Sequence, residues 1–218
     1  MSEEKPRRGK IVSILNRIFI DGLAGMALGL FATLIVGTIL DTIGSLLPES
    51  VGHWLSMIAG LCKAFTGAGI GVGVAYKLKE SPLVTLSCAA VGMIGAFASK
   101  LLAGTAWEPG VVTLAGPGEP LGAFVAVIAA IECGRLIAGK TKLDILLVPV
   151  FSILPGAAVG LLVGPPISKM MTALGEFINW GTQCQPILMG VIVSAVIGVC
   201  LTLPISSAAL CIILGLDG

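Results

Sequence analysis

The stretch Gly116-Pro117-Gly118-Glu119-Pro120 lies between long apolar runs and decides how the chain is divided. Two prolines and two glycines in five residues cannot continue a helix, so one helix must end before them and another begin after them. A carboxylate stands inside this break. Irregular backbone at membrane depth is tolerated only where protein covers it or where it lines a cavity. If the stretch lies within a membrane, we expect it to meet a solute or an ion.

The composition on both sides of the break is that of an integral membrane protein. Of the 218 residues, 56% are hydrophobic and only 11% are charged, and the mean hydropathy is +1.05. A soluble domain carries roughly 25% charged residues. The net charge of +1 argues against nucleic acid as a partner. The single histidine and the six dispersed cysteines predict no metal site and no other cofactor.

The apolar runs predict an all-α, polytopic membrane protein with about six to seven spans, because roughly 20 apolar residues cross a bilayer. Asp41–Gly52 is predicted to be a short acidic loop, Ala103–Gly122 a re-entrant loop or a plain loop, and Pro165–Trp180 a loop with an interfacial amphipathic piece. Residues 205–216 form a short apolar tail. The predicted spans are Ile18–Leu40, Val51–Tyr76, Leu83–Leu102, Ala123–Ala138, Ile145–Val163 and Pro186–Leu203.

The basic residues predict the orientation. Five of them lie in the tail 1–17, and pairs occur at Lys77/Lys79 and Lys140/Lys142. Lysine and arginine favour the cytoplasmic side, and placing all three groups there puts two spans between each group and the next. We therefore expect a cytoplasmic basic tail over residues 1–17 and a single transmembrane domain over 18–218. The expected location is the bacterial cytoplasmic membrane, with the N-terminus inside.

Similar glycine spacing in two spans indicates a candidate internal repeat. Gly25-x-x-x-Gly29 in the first span resembles Gly156-x-x-x-Gly160 in the fifth, and Trp54 and Trp180 follow at comparable offsets. Transporters are often built from such repeats, with their sites at the repeat interface. The halves would be 18–142 and 143–218. A second copy of the central break would fall beyond residue 218, so the second half is predicted to be incomplete.

Two features of the second predicted span could serve a ligand. Lys63 lies near its middle, where a cation costs roughly 2.5–3.5 kcal/mol and needs a partner or water. Glycine then recurs at every second position over Gly67–Gly73. Such glycines allow close helix packing or, in unwound backbone, expose peptide groups to a ligand. Gly67, Gly69 and Gly71 are therefore candidates for substrate contact as well as for packing.

The fourth predicted span adds a further candidate. Glu132 and Arg135 are three residues apart and share a helix face, so they form either a self-contained pair or part of a polar site. Glu119 differs, because the surrounding prolines leave nearby backbone groups without helical partners. Its carboxylate would accept hydrogen bonds from sugar hydroxyls, or bind a cation or a proton, unless it is an exposed turn. Gly118 and Glu119 therefore lead the candidate substrate-binding residues.

The run Gly116–Pro120 resembles the G-x-x-E-P loop of the membrane (EIIC) subunits of sugar phosphotransferase systems. The stretches Asp21–Phe31 and Gly67–Tyr76 look like the stand-alone EIIC-like family associated with the toxin regulator PfoR. In the sugar-transporting subunits the loop glutamate helps to bind the sugar, and the resemblance carries that role to Glu119. The chain shows no phosphocarrier domain, so any phosphoryl transfer would need separate partner proteins.

These observations leave three functions open. The chain could transport a small polar solute such as a sugar, it could sense a ligand without moving it, or it could conduct ions between Lys63 and Glu119. A membrane enzyme is not expected, because no nucleophile–base pair is visible. The many small-residue faces favour a homodimer within the lipid bilayer.

Overall fold

The computed structural model describes residues 14–105, 107–108, 111–114, 116–140 and 143–184, together with positions 187, 190, 191 and 194. The predicted basic tail lies almost wholly outside these residues, as do the sixth predicted span and the apolar tail. The candidate repeat therefore stays a prediction.

The described chain forms seven helices and one small pair of strands. Helix α1 includes two π-helical segments, Arg17–Gly22 and Phe31–Ile35. The strands are β1 (Trp107–Glu108) and β2 (Val111–Val112), which pair antiparallel. The helices are α1 (Ile14–Leu46), α2 (Glu49–Ala64), α3 (Thr66–Lys77), α4 (Pro82–Ala96), α5 (Ala98–Leu102), α6 (Pro120–Ile137) and α7 (Asp144–Cys184).

An all-α membrane fold is thus confirmed, but a count of six to seven spans is not. Three described helices are long and apolar enough to cross a bilayer, namely Ile14–Leu46, Pro120–Ile137 and the Asp144–Ala173 part of α7. The pair α2 and α3 adds a fourth candidate, bent by 52° at Phe65. Helix α4 is apolar but shorter. A re-entrant loop is not shown, and the segment predicted for it contains the β1–β2 pair.

Two predicted loops are helical. Helix α1 continues to Leu46, well past Asp41, because the first residue that stops it is Pro48, which holds Leu47 in an extended conformation (φ −95°, ψ 159°). Helix α7 passes through Pro165 and Pro166 and extends to Cys184, so the loop predicted for Pro165–Trp180 is wrong. Neighbouring groups can compensate for proline within membrane helices, so proline alone does not end them.

The core lies where α1, α3, α4, α6 and α7 meet. Its fully buried side chains include Met26, Ile70, Val91, Val127 and Val148. Helix α2 and the second half of α1 instead form a hairpin, in which the two helices pack mainly against each other. Many large apolar side chains on the outside remain exposed, including Leu46, Trp54 and Leu86. An apolar exterior around a small-residue core is what a lipid-embedded helical protein requires.

Candidate functional site

The third predicted span is interrupted. Helix α4 begins with Ser81, whose side chain accepts a 3.5 Å hydrogen bond from the Val84 N–H, and with Pro82 in its first turn. It ends at Ala96, because Phe97 leaves helical geometry (φ −108°, ψ 15°) before α5 resumes. The Phe97 side chain is buried, and the Lys100 ammonium lies 5.5 Å from its ring centre. The interruption frees the carbonyl of Ala96 for another partner.

That partner is Glu119. Its backbone N–H donates a 2.7 Å hydrogen bond to the Ala96 carbonyl oxygen. Gly116 and Gly118 precede it with φ of +79° and +70°, which L side chains rarely adopt. A methyl group on Gly118 would also lie 2.7 Å from the Ala96 oxygen, so only glycine fits. The segment Gly116–Pro120 is therefore connected by a backbone hydrogen bond to the interruption that follows α4.

The Glu119 side chain is half-buried at the start of α6. Pro120 occupies the first turn of this helix, and the Glu119 carbonyl accepts a 3.1 Å bond from the Ala123 N–H. The Glu119 Cγ lies 3.5 Å from where a methyl on Gly122 would stand, so the side chain follows the first turn of α6. A helix N-terminus favours negative charge, and the carboxylate is placed to use it.

The alternating glycines of α3 pack against two neighbouring helices. Residues four apart share a helix face, so Gly67 and Gly71 face α4, whereas Gly69 and Gly73 face α1. Methyl groups on the first pair would overlap the backbone of Gly92 and Cys88. On the second pair they would overlap the Thr33 side chain, 2.7 Å from the methyl position of Gly69, and the Gly25 backbone. A Cβ on Gly67 would also lie 2.9 Å from the Ala96 Cβ. Gly67, Gly118 and Glu119 therefore converge on Ala96.

Lys63 has a partner in the hairpin. Its ammonium lies 2.7 Å from a carboxylate oxygen of Asp41, and the two side chains are 28% and 41% exposed. The sequence prediction missed this pair because Asp41 was assigned to a loop. Among the described residues, the carboxylate in ion-pair contact with Lys63 is that of Asp41, not that of Glu119.

Glu132 belongs to a network of four charged residues. The Arg17 guanidinium lies 2.9 Å from Glu80 and 3.0 Å from Glu132, and Arg135 lies 3.4 Å and 3.6 Å from the same two carboxylates. The Glu80 side chain is only 7% exposed. Burial raises the pKa of the Glu80 carboxyl above its ordinary value, although both guanidiniums oppose the rise. We call Arg17, Glu80, Glu132 and Arg135 the four-charge network.

The four-charge network has two members that the sequence reasoning did not single out. Arg17 belongs to the predicted basic tail over residues 1–17, and the sequence predicts no role for Glu80. Apolar periodicity contains no signal for a contact between residues 115 positions apart, such as Arg17 and Glu132. No group of three or more His, Cys, Asp or Glu side chains arranged for a metal ion occurs in the part of the chain that the structure describes.

Apolar spanning helices, joined through interrupted backbone, define this chain as a polytopic α-helical membrane protein. Residues 20–218 match the family model described as "Phosphotransferase system, EIIC", so the chain belongs to that family. This membership confirms the resemblance drawn from Gly116–Pro120 and makes the chain a membrane component of the sugar-transport class. No curated protein and no solved structure matches it.

Proposed function

We propose that this protein binds a small polar solute, such as a sugar, beside Glu119 and carries it across the membrane. The observation that supports this most is the 2.7 Å hydrogen bond between the Glu119 N–H and the Ala96 carbonyl. It joins two helix ends at which backbone donors and acceptors are released from regular pairing. A carboxylate at such a place can accept hydrogen bonds from solute hydroxyls, and interrupted helices line the solute sites of many transporters.

The distance of Glu119 from the four-charge network supports a site within the membrane. Sixteen residues of helix separate Glu119 from Arg135, which corresponds to about 24 Å at 1.5 Å per residue. The hydrocarbon layer of a bilayer is about 30 Å thick. If the four-charge network marks the cytoplasmic boundary, as the positive charges of the neighbouring segments favour, Glu119 lies inside the layer near its outer side. This estimate favours the re-entrant reading of the central break.

Gly67 and Gly118 complete the proposed site by bringing three backbone segments together at Ala96. Gly69, Gly71, Lys63 and Glu132 stay predicted substrate contacts, with packing or ion-pair partners in the structure. We further propose that the protein is a homodimer in the bacterial cytoplasmic membrane, with its N-terminus inside.

The test replaces Glu119 with Gln in protein reconstituted into liposomes. Binding and uptake of radiolabelled D-glucose, D-mannitol and N-acetylglucosamine are measured for wild type, Glu119→Gln and the matched control Glu49→Gln, an exposed carboxylate in the hairpin. We expect Glu119→Gln to abolish binding of the sugar that wild type takes up, and Glu49→Gln to leave it unchanged. Unchanged affinity in Glu119→Gln would make Glu119 a surface turn. Wild-type binding without accumulation would indicate a sensor, and currents without any sugar an ion pathway.

A further inference from the structure

A second candidate site lies beside α5, the short helix that follows the interruption at Ala96. It is an open pocket of about 390 Å³ between α5 and the second half of α7. Five of its eight lining residues carry side chains that can form hydrogen bonds, while most of its exposed lining surface is apolar. They are Ser99, Ser168, Lys169, Thr172 and Glu176, with Leu102 as an apolar patch.

The polar side chains of α7 are arranged in one stripe. Ser168, Thr172 and Glu176 follow each other at intervals of four residues and thus share a face of the helix. The Thr172 hydroxyl donates a 3.0 Å bond to the Ser168 carbonyl, which leaves its oxygen free to accept from a ligand. Hydroxyls, an ammonium and a carboxylate beside a larger apolar surface match a polyhydroxylated molecule, which has hydroxyl groups and C–H faces.

Among the described residues, small side chains lie between this pocket and Glu119. Ser99 and Pro165 line the pocket, and their neighbours Ala98 and Gly164 touch, since a methyl on Gly164 would lie 2.7 Å from the Ala98 Cβ. On the other side, the Gly164 Cα lies 3.7 Å from the methyl position of Gly122, against which the Glu119 side chain packs. The contact of Ala98 with Gly164 is thus a thin barrier between the pocket and the Glu119 carboxylate.

We propose that this pocket is the outer vestibule in which a polyhydroxylated solute is held before it passes between Ala98 and Gly164 to Glu119. The proposal rests on the proposed sugar-binding function. The break at Phe97 and the paired prolines 165 and 166 flank the barrier on its two helices. Both interruptions weaken the backbone hydrogen bonding there, so α5 and α7 can separate at this level at low cost.

The test introduces a cysteine at Ser168 and modifies it with a membrane-impermeant, cationic methanethiosulfonate reagent added outside right-side-out vesicles. We expect modification of Ser168→Cys to lower uptake of the transported sugar by about tenfold. The same sugar should slow the modification. Ser45→Cys is the matched control, because Ser45 is an exposed hydroxyl residue in the hairpin, on the same predicted side, away from the pocket. Its modification should leave uptake unchanged, as should treatment of wild type.

The outcomes separate this proposal from the proposed function. If Glu119→Gln abolishes sugar binding but modified Ser168→Cys still transports normally, the vestibule is wrong and the Glu119 site stands. If Glu119→Gln binds sugar normally while sugar still protects Ser168→Cys, the pocket binds sugar by itself and the Glu119 site is wrong. Modification only from the cytoplasmic side would overturn the vestibule. Thr172→Cys, at an exposed position of the same pocket, replaces Ser168→Cys if that variant does not fold.

Discussion

Gly71 lies so close to the Cys88 carbonyl of the neighbouring helix that even a methyl group does not fit there between α3 and α4. The two helices therefore meet backbone to backbone. In lipid the apolar surface of a helix gains little from leaving its solvent, so such close van der Waals contact is a main source of helix association. At the residue scale, the stability of this protein depends on glycines, because the absence of a side chain lets two helices come into close contact.

We expect Gly71→Ala to destabilise the protein by about 1–3 kcal/mol, because the helices must move apart to admit the methyl group. The matched control is Gly60→Ala in α2, where the added methyl would meet nothing within 4 Å. Alanine is favoured over glycine in a helix by about 1 kcal/mol, so the control should be neutral or stabilising. Thermal unfolding in detergent measures both. Equal melting temperatures for the two variants would contradict the packing role.

The glycine spacing is visible in the sequence, but the sequence does not decide whether these glycines pack against helices or contact a ligand. The period of two over Gly67–Gly73 is compatible with packing, the more common use, and with ligand contact. The structure resolves this, because two helices lie on opposite sides of α3. Gly67 and Gly71 contact α4, and Gly69 and Gly73 contact α1. The sequence contains no comparable signal for Ala96, an ordinary apolar residue whose carbonyl accepts the Glu119 N–H.

At the scale of elements, a 52° bend between α2 and α3 interrupts the second predicted span. A bend breaks the regular hydrogen bonding of the helix and leaves carbonyl groups to be satisfied otherwise. Thr66 does this for Lys63, since its hydroxyl donates a 2.6 Å bond to the Lys63 carbonyl oxygen. Thr66 is fully buried. Its hydroxyl is therefore part of what holds the bend.

Replacing Thr66 with Val keeps the shape of the side chain and removes the donor. We expect Thr66→Val to lower the free energy of unfolding by about 1 kcal/mol, the net value of one such hydrogen bond, and Thr66→Ser to retain most of it. Thr42→Val is the control, because the Thr42 hydroxyl makes a 2.9 Å bond to Thr38 within regular, exposed helix. A melting temperature of Thr66→Val no lower than that of Thr42→Val would show that the bend does not need the hydroxyl.

Element positions were predictable from apolar runs, whereas element ends were not. The charge of Asp41 predicts the end of a span, but Lys63 neutralises it and the helix continues. Pro165 predicts the start of a loop, yet α7 continues through Pro165 and Pro166, whereas Pro48 does end α1. In both cases the deciding factor is a group distant in sequence or the low polarity of the surroundings, and a local pattern contains neither.

At the scale of the whole molecule, the four-charge network joins the start of α1, the connection between α3 and α4, and the end of α6. These segments are far apart in sequence, and a few ion pairs connect them at one end of the helices. Glu80 is the critical member, since its carboxylate is the most deeply buried of the four. Burial removes water from the Glu80 carboxylate and so disfavours its charged form, which is why the pKa of Glu80 is raised.

Removing a cation from Glu80 should therefore make stability dependent on pH. In Arg17→Gln the pKa of Glu80 rises further, and a carboxyl with a raised folded pKa loses its stabilising contribution as pH increases through that value. We expect Arg17→Gln to cost about 1–3 kcal/mol at pH 8 and clearly less at pH 5, where Glu80 can take up a proton. Melting temperatures at both pH values measure this, with the exposed Lys77→Gln as control. A cost of Arg17→Gln that is equal at both pH values would exclude Glu80 as its origin.

Helix α1 also has a consequence for the surrounding lipid. Its 33 residues extend about 50 Å, whereas a typical hydrocarbon layer measures about 30 Å. Such a helix must tilt, or the hairpin tip that contains Leu46 must stand in the headgroup region or beyond it. Hydrophobic mismatch costs a fraction of a kcal/mol per ångström. The acyl-chain length of the host membrane thereby exerts a force on α1, and α1 transmits this force to the residues that pack beside it.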